Sequence, residues 1–181
     1  MKEIIPGINQ LPIPIPHNPL GYTNIYLVQG DGKYLLIDAG VNTEEALESL
    51  QEQLAEIGID LKNISQIIVT HAHHDHYGLA GRLRQLSGAK IALHYIEKDL
   101  LTSRYTNMDE TMRQSEQWLH SNGMPSNGQS PYRTAFTGRQ RFAEPTLPDI
   151  TLRGGETISN GTFNLQVLWT PGHSPGHICL Y

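Results

Sequence analysis

Thr70-His71-Ala72-His73-His74-Asp75-His76 packs four histidines and an aspartate into seven residues. The run follows Ile64–Thr70, whose Ile67-Ile68-Val69 core is continuous and branched and predicts a buried strand. At a strand end, residues i and i+2 point the same way, so His71 and His73 can aim at one metal. Neutral imidazole is the commonest protein ligand for zinc and its neighbours. Asp75 and His76 come where the chain has left the strand and turned. They can face a neighbouring point a few ångströms away.

A second cluster answers the first. Thr170-Pro171-Gly172-His173-Ser174-Pro175-Gly176-His177 also follows a β-like run, Thr162–Thr170. Its Pro-Gly turn can bring His173 back to His71 and His73. Three histidines plus a water make a catalytic site with an open position, unlike a closed structural site. A second ion on Asp75 and His76 would give a two-metal clamp, with ions about 3.5–4 Å apart. A divalent ion lowers the pKa of water to about 7 and polarises a carbonyl or phosphoryl oxygen. Asp75, an acceptor only when ionised, can both ligate and orient the resulting hydroxide, which makes it the catalytic candidate. No serine or cysteine nucleophile is then needed.

Outward from these clusters, strands alternate with helices. Asn24–Gln29 and Lys33–Asp38 are β-like runs joined by the turn Gly30-Asp31-Gly32. A helix follows. Asn42 is placed to cap it, with Glu45 three residues on. Leu47, Leu50, Leu54 and Ile57 form one apolar stripe, and Gly58 is a natural stop. Residues 11–19 carry Pro12, Pro14, Pro16 and Pro19 and are expected to be extended, outside a central strand. Downstream, Tyr77–Leu86 predicts a helix and Ile91–Leu93 a strand. Residues 95–122 are mostly helical in character, clearest over Met108–His120. Residues 123–150 are loop-like, and Ile178–Tyr181 is a last apolar run. The class is α/β, or layered α+β.

Composition bounds the rest. The chain has 181 residues, which suits one domain over 1–181 with a sizeable core. Thirteen basic and 18 acidic residues give a formal net charge of −5, which offers no electrostatic footprint for nucleic acid. The single Cys179 rules out an intramolecular disulfide and fits a reducing compartment. No apolar run is long enough to span a membrane, and Met1–Pro6 has no apolar signal core. A cytoplasmic protein is the expectation.

The run Thr70–His76 resembles the signature of the metallo-β-lactamase superfamily, which includes glyoxalase II-like thioesterases, lactonases, RNase Z-like nucleases and flavodiiron proteins. Leu36-Ile37-Asp38-Ala39-Gly40 resembles the family's strand-end motif ahead of the first helix, and Thr170–His177 its third-histidine loop. The resemblance runs from about residue 20 to the end. It implies an αββα sandwich of two similar halves, of which this chain is mainly the first. It further implies that His71, His73 and His173 hold the first metal and that Asp75 and His76 contribute to the second. His74 falls at the variable position and is not expected to ligate. Asp38 would sit behind the ligands, and His177 would be a supporting hydrogen-bonder.

The family pattern continues past the third-histidine loop to a strand, a metal-bridging aspartate, further strands and a last histidine, whereas this chain ends at Tyr181. The expectation is therefore a fragment whose site is incomplete in one copy and which is inactive alone. Its exposed inner sheet face invites a homodimer. The long span between His76 and His173 places an inserted helical and loop arm at 95–150. Tyr105, Met108, Met112, Trp118 and Tyr132 are available there to select substrate, although helix packing is the commoner use of such residues. His17, His94 and His120 are read as surface or satisfied core positions.

The expected function is metal-dependent hydrolysis of an ester, thioester or amide-like bond in a small molecule, using a metal-activated water and two zinc ions. Iron or manganese are the alternative metals. A metal-dependent phosphodiesterase or nuclease, and a di-iron or mono-iron oxidoreductase, are the alternative activities on the same ligands. Fold alone does not choose among them.

Overall fold

The computed structural model describes residues 1–125 and 143–181. Seven strands form the main sheet in sequence order: β1 (Lys2–Ile5), β2 (Ile8–Pro14), β3 (Tyr22–Gln29), β4 (Tyr34–Ile37), β5 (Ile64–Ile68), β6 (Lys90–His94) and β7 (Ile150–Leu152). The first four are an antiparallel meander, and β4 to β7 run parallel. Parallel neighbours need crossovers. These are helix α1 (Glu44–Glu56) between β4 and β5, and α2 (His74–Tyr77) with α3 (Ala80–Ser87) between β5 and β6. After β6 come α4 (Tyr95–Leu101), a π-helical turn at Thr102–Thr106 and α5 (Met108–Ser121). Strands β8 (Thr157–Ser159), β9 (Asn164–Trp169) and β10 (Ile178–Leu180) form a second, antiparallel sheet in the order β10-β9-β8.

Strand alternation divides the core in two. Leu27, Leu36, Ile67, Ile91 and Leu93 face the helices, where they meet Leu47, Leu50, Leu54 and Leu83. Val28, Leu35, Ile68 and Ala92 face the other way and pack on Leu165, Val167 and Ile178 of the small sheet. The layers are thus helix, sheet, sheet, as the α/β sandwich expectation requires. Among the described residues no helix is long and apolar enough to cross a membrane.

Several local expectations are corrected. The proline-rich stretch is not outside the sheet, because Leu11–Pro14 pairs with Thr23, Asn24, Ile25 and Tyr22 of β3. The prolines are tolerated because β1 stops pairing at Gln10. The Pro12 carbonyl, on the side where its missing N–H would point, accepts the Gln53 side-chain amide at 3.0 Å. The cap of α1 is Thr43, not Asn42: Thr43 Oγ1 accepts the Ala46 N–H. Ile57 leaves the stripe, because the helix ends at Glu56 and Ile57 is exposed. The helix expected over Tyr77–Leu86 is two helices broken at Gly78-Leu79, and it begins earlier, at His74. Strands β1, β7 and β8 were too short to show as patterns. Of the arm, Met112 is buried and Trp118 exposed, which fits helix packing for the first of these. Tyr132 lies outside the described residues.

Candidate metal centre

Strand β5 delivers the first loop. Val69 continues the parallel pairing by donating to the Ala92 carbonyl, and Ile178 N donates to the Thr70 carbonyl at 3.1 Å, so both sheets meet at Thr70. The second loop is the β9–β10 connection, closed by the Thr170 N–H on the His177 carbonyl at 2.9 Å and by Trp169 Nε1 on the Pro175 carbonyl at 2.9 Å. This closure turns His173 back over the first loop. His71 Nε2 lies 3.0 Å from His73 Nδ1, and His73 Nδ1 lies 3.0 Å from His173 Nε2. One ring nitrogen from each of the three histidines lies within 4.8 Å of the other two.

That arrangement suits a cation. Nitrogens bound tetrahedrally to one zinc at about 2.0–2.1 Å stand roughly 3.3 Å apart. Burial first, and then the other histidines led by His76, hold the His71 imidazole far below its ordinary value, at about 2. Burial and the Arg104 guanidinium push His73 down to about 4. Both rings are neutral at neutral pH and can offer a lone pair. Thr70 Oγ1 donates to Asp38 Oδ2 at 3.0 Å, so its oxygen can accept His71 Nδ1–H, also at 3.0 Å. That tautomer leaves Nε2, the atom facing His73, unprotonated.

Asp75 and His76 stand beside this triangle rather than in it. His76 Nε2 is 3.5 Å from Asp75 Oδ2, and the His76 ring is 4.3 Å from that of His71. His76 Nδ1 bonds Asp38 Oδ2 at 2.7 Å. Burial alone would lower the His76 pKa. The bond to Asp38 and the charges of Asp38 and Asp75 outweigh it, so the pKa is raised. Asp38 also accepts the Thr70 N–H at 2.7 Å, so it holds His76 directly and reaches His71 through Thr70. His177 Nδ1 is 2.9 Å from Thr170 Oγ1. Thr70, His71, Asp75, His76 and His177 line one open depression of about 410 Å³.

One contributor was not foreseen. Glu97 is fully buried and bonds Ala72 N, Ser174 Oγ and Gly176 N. Its neighbours Tyr95-Ile96-Glu97-Lys98-Asp99 read as an ordinary charged helix start, so no local signal marks it. Tyr105 Oη donates to the Ala72 carbonyl at 3.0 Å. His94 is fully buried, stacked on Trp169 at 5.6 Å between ring centroids.

The depressed histidines give the metal-free chain a pH signature. Between pH 6.5 and about 4 the unfolded chain takes up protons on His71 and His73 that the folded chain refuses. Stability is therefore lost as pH falls through that window. His76, raised, opposes this: its contribution is full below 6.5 and fades as pH rises through its folded value. Denaturant melts of the metal-free chain should weaken on acidification, and His71→Asn should flatten the slope. An unchanged slope in the variant would contradict this assignment.

Residues 18–181 match the sequence profile of the metallo-beta-lactamase superfamily. A Bacillus subtilis protein named "Probable metallo-hydrolase" is 32% identical over 172 residues, covering 93% of this chain and 51% of its own length. A Bos taurus protein named acyl-coenzyme A thioesterase is 30% identical over 170 residues, covering 87% of this chain and 53% of its own. A crystal structure of a metallo-beta-lactamase family protein from Thermus thermophilus superposes with a TM-score of 0.81 at 34% identity, over 99% of this chain and 56% of that one. The chain thus spans about half the length of these relatives.

Proposed function

This chain belongs to the metallo-beta-lactamase superfamily, and from that premise we propose that the protein is a metal-dependent hydrolase of a small-molecule thioester. The observation that carries this reading is the convergence of His71 Nε2, His73 Nδ1 and His173 Nε2. These three would hold a first ion, zinc by this reading, and Asp75 and His76 would contribute to a second. When bound, such an ion supplies the charge that acidifies water and polarises a substrate carbonyl. The chain's own residues do the rest. His71 and His73 are kept neutral by burial, so they bind without first losing a proton. Asp38 fixes His76 so that its Nε2 points at Asp75. Asp75, part-exposed at the depression, accepts a hydrogen bond from water and orients it toward the carbonyl.

Thioester is preferred among the acyl bonds for two reasons. A relative at 30% identity carries the acyl-coenzyme A thioesterase name. The depression beside His71 is also rimmed by Leu20 and Tyr22, 73% and 55% exposed, an apolar border suited to an acyl chain. The test is a substrate panel on the whole natural protein: acyl thioesters, a lactone, a β-lactam and a phosphodiester, each with and without a chelator. Thioester hydrolysis that stops on chelation and returns with zinc is expected. Hydrolysis indifferent to chelation, or a preference for the phosphodiester, would overturn the reading. Iron in the isolated protein together with dioxygen consumption would do so too.

A further inference from the structure

We propose that Glu97 is a positioning residue that sets the spacing between the two histidine loops, and with it the affinity and shape of the site made by His71, His73 and His173. The inference rests on the reading of those three as metal ligands. Glu97 sits in the first turn of α4, immediately after β6, and is fully buried. Its Oε2 accepts the N–H of Ala72, the residue between His71 and His73, at 2.8 Å. Its Oε1 accepts Ser174 Oγ at 2.5 Å and the Gly176 N–H at 2.8 Å. Ser174 adjoins His173. One carboxylate therefore grips both loops, each through a residue next to a ligand and neither through an imidazole.

The surroundings fit this use. The Ala72 peptide is held at both ends, its N–H by Glu97 and its carbonyl by Tyr105 Oη. The second loop lies against α4 with no space to spare: a Cβ at Gly176 would come 2.8 Å from Glu97 Cγ and 2.9 Å from Glu97 N. The buried charge is answered by Arg104, whose Nη1 is 3.8 Å from Glu97 Oε2. A buried carboxylate is costly unless hydrogen-bonded and paired, and here three donors and a cation supply that. All three hydrogen bonds join distant parts of the chain, at separations of 25, 77 and 79 residues. None of them is needed to build α4 itself. Their effect is to fix where His173 stands relative to His71 and His73.

The substitution Glu97→Gln keeps the shape but not the pattern. Whichever way its amide turns, an NH₂ group faces a backbone N–H, of Ala72 or of Gly176. Ser174→Ala loosens only the second loop. The experiment is a titration of the 181-residue chain with Co²⁺ against a competing chelator, following the visible absorption of the bound ion. Glu97→Gln should weaken Co²⁺ binding about 10–100-fold, the range seen for partners behind metal ligands, and should alter the absorption bands. Ser174→Ala should do the same more weakly, and the double variant should lose less than the product of the two losses, since both act on one contact. Leu50→Ala, on the buried face of α1, loosens the fold but removes no hydrogen bond to either loop, and should leave affinity and bands unchanged in the folded chain. Parent-like binding and bands in Glu97→Gln would overturn the inference, as would an equal loss in Leu50→Ala. If Glu97→Gln does not fold, Ser174→Ala decides: parent-like binding there overturns the inference. If the parent chain itself binds no Co²⁺, the metal-ligand reading fails and this inference fails with it. If the parent binds and the loop variants match it, only the role of Glu97 fails.

Discussion

Replacing His173 with alanine is expected to weaken zinc binding by this chain by more than about 100-fold, beyond the range for residues that merely support ligands. The reason is its place in the fold. His71 and His73 come from one loop at the end of β5, whereas His173 is the member of the triangle supplied by the second sheet. Without it, two nitrogens 3.0 Å apart remain, and two imidazoles leave a zinc ion short of the ligand set its catalytic sites use. The residue is exposed, so truncation should cost the fold little, and the loss can be assigned to the metal rather than to unfolding. The neighbouring histidine is the control. His177 is bonded through Nδ1 to Thr170 Oγ1 and stands outside the triangle, so His177→Ala should bind nearly as the parent does. Elemental analysis after dialysis, followed by competition with a chelator, measures both. Retained zinc in His173→Ala, or equal losses in the two variants, would remove this triangle as the metal site.

The parts of this site that could be read from the sequence are those in which chemistry and backbone period coincide. His71 and His73 sit two apart at the end of a branched run, and a strand's period of two then decides that they point together. The recovery of His173 needed only a turn, which Pro171-Gly172 announces. What stayed hidden is what depends on three-dimensional closure. Glu97 reaches residues 77 and 79 positions away, and nothing in Tyr95–Asp99 distinguishes it from a solvated charge. The break at Gly78-Leu79 is imposed from outside the helix: Ala39 N–H takes the His76 carbonyl at 2.7 Å and Leu79 N–H gives to the Gly40 carbonyl at 2.9 Å. Local propensity gave no warning of that competition. The prolines of β2 misled for a similar reason. Whether proline breaks a strand depends on which side its missing N–H faces, and that side was settled by where β1 stops.

Asp38 brings the two kinds of information together, and its substitutions should show which matters more. It has φ +63°, a left-handed conformation that aspartate and asparagine tolerate better than most residues. It is 5% exposed and accepts three hydrogen bonds, from Thr70 N, Thr70 Oγ1 and His76 Nδ1. Alanine would therefore lose twice. The left-handed backbone costs it roughly 1–2 kcal/mol. Leaving buried donors without the charged acceptor costs about 1–3 kcal/mol more. Glycine removes the same side chain but accepts the conformation freely, so Asp38→Gly isolates the hydrogen-bonding part. Asparagine keeps the conformation and one acceptor but presents an amide where His76 Nδ1–H or Thr70 N–H now donates. The expected order of stability in denaturant melts is parent, then Asp38→Asn, then Asp38→Gly, then Asp38→Ala. All three variants should also weaken any second metal at Asp75 and His76, because His76 Nε2 is aimed by the bond its other nitrogen makes to Asp38. If Asp38→Gly proved as stable as the parent, the three hydrogen bonds would contribute nothing net, and Asp38 would be present only for its backbone. If Asp38→Ala matched Asp38→Gly, the left-handed conformation would carry no cost here, and the strand-end turn would be held by its hydrogen bonds alone.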